Sequence, residues 1–225
     1  VDPATGALWG VGGTSGSGQL LRIDEANGQV LQTIELDATY APYSPQNYAG
    51  LQVLPQAMTL AGTAVPAGSL LLLNGYASDA RDHLTAIDPA SGSILANLDL
   101  STTYRTTAGV YDATSGHLFL LSYTNQMAEI DPDTGAELAS FAVPVNVQSY
   151  AGMAIDPVSG NFWIGSSSGG NQIVEIGRTG TEIRRFDLAS QGMRAGSGIG
   201  GLAFAPDGAL RVASTTGAVF RVAVV

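Results

Sequence analysis

Val1-Asp2-Pro3-Ala4-Thr5-Gly6-Ala7-Leu8-Trp9 and Ile155-Asp156-Pro157-Val158-Ser159-Gly160-Asn161-Phe162-Trp163 are one phrase written twice: an apolar residue, a turn, then an apolar strand. Val110-Tyr111-Asp112-Ala113-Thr114-Ser115-Gly116-His117-Leu118-Phe119 is a third copy. A related phrase closes other strands at Ile23-Asp24-Glu25-Ala26-Asn27-Gly28, Ile87-Asp88-Pro89-Ala90-Ser91-Gly92 and Ile130-Asp131-Pro132-Asp133-Thr134-Gly135. In each, Asp caps the turn through its side chain, Pro presets φ where it is present, and Gly takes the positive φ at the end. All-strand units repeating at roughly 40 to 50 residues predict a β-propeller.

The fold class read from these repeats is all-β, a propeller of about five four-stranded blades with incomplete first and last blades. The approximate blades are 1–37, 47–100, 106–143, 149–188 and 198–225, in a single domain. Labelling strands A to D from the axis outward, the fourth unit reads 152–155, 161–164, 172–176 and 182–186. Gly50, Gly109, Gly152 and Gly201 recur at one place in the A strand, where inner strands crowd the axis. The first unit has only the tail of an A strand, and the fifth has no D strand. The missing strands come from the same polypeptide, from a neighbouring copy by strand addition, or not at all. Val219, Phe220, Val222 and Val224 form the candidate assembly edge, an apolar, Pro-free stretch.

Composition narrows the partners. The chain has 225 residues, a net charge of −10, no Cys, and nine basic residues, all Arg. Such acidity opposes phosphate backbones, so neither nucleic acid nor an anionic membrane is an expected partner. Cys-free sequence offers no disulfide and no thiolate metal site. No apolar run reaches the ~20 residues of a membrane helix. The start at Val rather than Met reads as a piece of a longer precursor. The expected location is extracellular or at the cell surface, with copies of itself, other proteins or glycans as partners.

In a propeller, the A–B and C–D turns share one face, which here carries the Asp turns. Calcium at these turns would need more carboxylates at alternating positions; no metal or other cofactor is expected. The opposite, top face gathers Tyr43, Asn47, Tyr48, Tyr104, Arg105, Asn146, Gln148, Tyr150 and Arg194 as candidate ligand-binding residues. Tyr with amide and guanidinium partners makes a recognition surface for a sugar or a protein. The competing reading of Tyr48 and Tyr150 is that they wedge adjacent blades together. Asp79, Asp82 and His83 cluster in one loop, where His83 is expected to be solvated, while His117 follows a turn of the other face. No nucleophile elbow or phosphate loop is present.

The repeats resemble those of NHL-repeat, streptogramin-lyase-like and lactonase-like propellers over nearly the whole chain. That resemblance rests on turn and strand phrases and implies the fold. Lactonase-like members hold a divalent metal at the axis with carboxylates and Asn; this chain offers Asn47 and Asn146 there without a carboxylate. Lyase-like members use a His with a Glu, and neither is suitably placed. The expectation is therefore a non-catalytic module that works by contact, either by self-assembly or by ligand capture on the Tyr-rich face, with a metal-dependent lactonase or lyase as the remaining alternative.

Overall fold

The inner strands carry small residues because they meet at the axis, and their spacing sets the blades. The computed structural model describes residues 1–14, 17–36, 48–75, 81–100, 104–147, 151–166, 170–194 and 196–224. Five antiparallel sheets form a ring, a five-bladed β-propeller. The first holds β1 (Leu8–Thr14), β2 (Ser17–Ile23) and β3 (Val30–Leu36). The second holds β4 (Tyr48–Val53), then β7 (Leu70–Asn74), β8 (His83–Ile87) and β9 (Ile94–Asp99). Its A–B connection is a separate hairpin of β5 (Met58–Leu60) and β6 (Thr63–Val65).

The third sheet holds β10 (Thr106–Asp112), β11 (His117–Ser122), β12 (Gln126–Ile130) and β13 (Glu137–Ala142). The fourth holds β14 (Ala151–Ile155), β15 (Phe162–Ser166), β16 (Gln172–Ile176) and β17 (Glu182–Asp187). A short 3-10 helix, Leu188–Gln191, follows and is capped by the Asp187 carboxylate. The fifth holds β18 (Ile199–Phe204), β19 (Leu210–Ser214) and β20 (Val219–Val222). Thus β4, β10, β14 and β18 are A strands, and the first and last sheets have three described strands each. By the phrase shared with β15, β1 is a B strand, so among the described residues the first sheet shows no A strand and the fifth no D strand.

The cores lie between blades. Leu84, Leu98 and Leu100 of the second blade pack with Leu118, Leu120 and Ile130 of the third. Phe119 and Met127 of the third pack with Phe162 and Val174 of the fourth. Trp163 and Ile173 of the fourth share a core with Leu210 and Val212 of the fifth. Burying such side chains contributes about 1.5–3 kcal/mol each, so a blade gains most of its stability from its neighbours.

The Asp turns have one geometry. In Asp88-Pro89-Ala90-Ser91-Gly92, Oδ1 accepts from the Ala90 amide at 3.0 Å and Oδ2 from the Ser91 hydroxyl at 2.6 Å. Gly92 then takes φ 75° and returns its amide to the Asp88 carbonyl. The Asp156 turn repeats this with Val158 and Ser159, both at 2.8 Å, and Gly160 at φ 73°. Both oxygens of these carboxylates are thus engaged within their own turns. A second repeated device is a bulge in every described outer strand, placing Leu31, Leu95, Leu138 and Ile183 at one position. Leu31, Leu138 and Ile183 are about half exposed, at 50%, 49% and 53%.

The ring closes through its turns. The C–D turn of one blade bonds the A–B region of the blade before it: Arg178 Nη2 donates to Asp112 Oδ2 at 2.8 Å, and Gly62 N donates to Asp133 Oδ1 at 2.5 Å. The first and fifth blades meet in the same way, Arg211 Nε donating to Glu25 Oε1. Arg211 also holds Asp207 of its own A–B turn, with Nη2 to Oδ2 at 3.1 Å.

Candidate functional site

Two regions carry the expected recognition residues, the top face and the outer edge of the fifth blade. On the top face, Tyr43, Asn47, Gln148 and Tyr150 lie outside the described residues, and Tyr48 begins β4. Tyr104 packs against the core between the second and third blades. Its amide donates to Asp82 Oδ2 at 2.9 Å, and its hydroxyl to Glu137 Oε2 of β13 at 2.9 Å. The blade-wedging role considered for Tyr48 and Tyr150 is therefore one that Tyr104 performs.

Arg105 sits beside it at φ 52°, with its guanidinium 5.1 Å from the ring centroid of Tyr123, which is 42% exposed. Asn146 is exposed, and the neighbouring Val147 amide donates to Asn125 Oδ1 at 2.7 Å. Arg194 is exposed, and its carbonyl accepts from Asn171 Nδ2 at 2.9 Å. Of the nominated residues, the structure brings Tyr104 and Arg105 together, with Arg105 stacked on Tyr123.

The acidic loop differs from its expectation. His83 is not solvated: it is 1% exposed, and its Nδ1 lies 2.7 Å from Asp99 Oδ1 on the paired strand. Asp82 is fully buried, accepting from Thr106 Oγ1 at 2.8 Å as well as from Tyr104. Asp79 lies outside the described residues. His117 pairs with Glu129, Nδ1 to Oε1 at 2.6 Å. Among the described residues, no three His, Cys, Asp or Glu side chains come together as a metal-holding group.

The C strand of the fifth blade differs in exposure from its sisters. Cross-strand register places Val219 where Met127 and Ile173 stand in the third and fourth blades, opposite Ala213, Leu121 and Gly165 respectively. Met127 and Ile173 are 0% exposed, whereas Val219 is 51% exposed. The difference is the fourth strand: Phe141 covers Met127 and Phe186 lies opposite Ile173. Phe220 and Val224 are partly buried and Val222 is buried, all packed into the core shared with the fourth blade. No described strand pairs with the outer edge of β20.

Outer strands of the ring also have a far wall. An outer strand is held between its own C strand and the next blade's C–D turn. Gly180 of the fourth blade abuts Phe141 and Ala142 of β13, and Gly135 of the third abuts Leu98 and Leu100 at the end of the second. Glu25, in the first blade's C–D turn, is held by Arg211 of β19.

No protein-family model matches the sequence, and no curated protein matches it. Solved structures do. Glutaminyl cyclase from Myxococcus xanthus aligns at 14% identity and TM-score 0.59, over 91% of this chain and 81% of its own. A protein of unknown function from Bacteroides caccae aligns at 12% identity and TM-score 0.53, over 92% of this chain and 81% of its own. At these identities the likeness is one of fold: this chain is a β-propeller, arranged like other β-propeller proteins.

Proposed function

We propose that the protein works by contact rather than catalysis, as an assembly module in which β20 of the fifth blade pairs with a strand of a neighbouring molecule. The observation that carries this reading is Val219, 51% exposed where Met127 and Ile173 are 0% exposed. Main-chain pairing gives such an addition its affinity, and pockets for alternate side chains give it specificity. A heterologous contact of this kind extends into a filament when its rotation does not close. An acidic, Cys-free surface protein suits such a role outside the cell.

The test is the mass and shape of the native protein by light scattering and negative-stain microscopy, beside Val219→Asp. Oligomers or polymers that grow with concentration and shrink in the variant are the expected result. Monodisperse monomers at every concentration, or assemblies indifferent to the substitution, overturn the reading.

A further inference from the structure

One turn of the top face is built twice in this chain with different side chains. In Ser122-Tyr123-Thr124-Asn125 of the third blade, the Tyr123 amide donates to the Arg105 carbonyl at 3.0 Å and the Asn125 amide to the Ser122 carbonyl at 3.1 Å. The Thr124 amide donates to Ser122 Oγ at 3.1 Å. In Ser214-Thr215-Thr216-Gly217 of the fifth blade, the same bonds run from Thr215 to the Gly198 carbonyl at 2.9 Å, from Gly217 to the Ser214 carbonyl at 3.1 Å, and from Thr216 to Ser214 Oγ at 3.2 Å. The hydroxyl pairs match as well, Ser122 with Thr124 at 2.9 Å and Ser214 with Thr216 at 2.8 Å. Arg105 therefore stands where the fifth blade has Gly198, and Tyr123 where it has Thr215.

The turn itself requires neither a cation nor an aromatic ring, yet the third blade holds both. Arg105 takes φ 52°, in the left-handed region that residues with a side chain rarely adopt. Its neighbours clamp it there. The Tyr104 amide is held by the buried Asp82 carboxylate, and the Tyr104 carbonyl accepts from Ser122 Oγ at 2.7 Å. The clamp leaves the Arg105 guanidinium 5.1 Å from the centroid of a Tyr123 ring that is 42% exposed.

The hydroxyls fix the polarity beside that ring. The Tyr104 carbonyl can only accept, so the one proton of Ser122 Oγ is committed to it. The Thr124 hydroxyl then donates to Ser122 Oγ, which leaves the Thr124 oxygen as an acceptor. An exposed ring with a stacked donor, and an acceptor on the next residue, suits a ligand whose hydroxyls both donate and accept and whose C–H groups lie on an aromatic face. That chemistry is a sugar's. The net charge of −10 opposes the approach of an anionic one, so the ligand is neutral. We propose that Arg105, Tyr123 and Thr124 form a binding site for a neutral saccharide on the top face. The site rests on a different observation from the pairing of β20 and stands or falls apart from it.

The probes are cellohexaose, maltohexaose, laminarihexaose and mannohexaose, with hexagalacturonate as the acidic counterpart. Each is titrated into the whole chain by isothermal calorimetry, and circular dichroism checks that every variant is folded. At least one neutral probe binds, and more tightly than hexagalacturonate. Tyr123→Ala weakens that binding about tenfold, whereas Tyr123→Phe, which keeps the ring, leaves it near the parent value. Arg105→Gly installs the fifth blade's residue and relieves the left-handed backbone, so Tm does not fall while affinity drops about threefold. Val158→Ser, at a 94% exposed position in a turn of the opposite face, binds as the parent does. No binding of any neutral probe, a preference for hexagalacturonate, or an affinity unchanged in Tyr123→Ala or in Arg105→Gly overturns the site.

Discussion

Arg211 and Glu25 are 186 positions apart in the chain and form the ion pair that joins the last blade to the first. Their bond repeats, at the seam of the ring, the turn-to-turn contact that Arg178 and Asp112 make between the third and fourth blades. The blades on both sides of the seam have three described strands each.

Glu25→Gln keeps the shape and removes the charge. The Arg211 side chain is 9% exposed and that of Glu25 is 35% exposed, so the loss is discounted for solvent and comes to about 1 kcal/mol. For a domain of this size that is a fall of about 2–4 °C in Tm, measured by calorimetry. Arg211→Ala costs more, because Glu25 and Asp207 both lose their partner. A Tm unchanged in Arg211→Ala would mean that the seam is held elsewhere.

Acid should loosen the seam and the turns in sequence. The hydrogen bonds from Arg211, with the Ala209 amide, lower Asp207 to about 2. Asp88 is lowered by the Ser91 hydroxyl and then the Ala90 amide, and Asp131 by the Asp133 amide and then Thr134. Carboxylates depressed in the folded state contribute stability above their unfolded value of about 4, and lose it as pH falls through the folded value. Stability is expected to hold at neutral pH and to decline between about pH 4 and pH 2. Asp207→Asn flattens that decline in denaturant melts at each pH. An equally steep decline in the variant would assign the acid sensitivity to other groups.

Much of the ring was legible in the sequence because its signals are local. Asp, Pro and Gly at fixed offsets fix a turn through bonds within five residues, and the Gly of each A strand marks the axis. What escaped depends on residues far apart in the chain. The β5–β6 hairpin has three-residue strands, and its Gly62 amide is anchored by Asp133 from the next blade. His83 stands beside acidic loop residues in sequence, but the register with Asp99 buries it. Tyr104 is indistinguishable by composition from Tyr48 and Tyr150, and only the position of Glu137 reveals its wedge. The Val219 edge was legible as an apolar strand; its exposure emerges only against Met127 and Ile173.

The crowding of A strands at the axis can be tested at one atom. A Cβ on Gly152 would stand 2.6 Å from the Gly201 carbonyl carbon and 2.7 Å from the Leu202 amide nitrogen, both backbone. Neither can rotate away, so Gly152→Ala forces the fourth and fifth blades apart at a cost of about 1–3 kcal/mol or more. Gly10→Ala is the control: a Cβ there has nothing within 4 Å. Urea denaturation of both variants should show a lower midpoint for the first and little change for the second. Equal midpoints would mean that the inner strands have slack at this joint.

The ion pair inside the fourth blade ties β17 to β16, so its strength matters. The Glu175 side chain is 5% exposed and accepts from Arg184 at 2.5 Å and from Asn161 Nδ2 at 2.7 Å. Arg184, 35% exposed, spreads over Trp163 and Phe186. Removing the buried partner strands the guanidinium and the amide together. Glu175→Ala is expected to cost about 2–3 kcal/mol, below the roughly 3–5 kcal/mol of a fully buried broken pair because the arginine can turn to solvent. Arg184→Met leaves Glu175 with Asn161 and keeps the apolar stem over Trp163, so its cost comes from the isolated carboxylate. The double variant Glu175→Leu with Arg184→Met removes both charges, and should recover most of the loss. Near-neutral single variants would show that the blade holds its outer strand by packing alone.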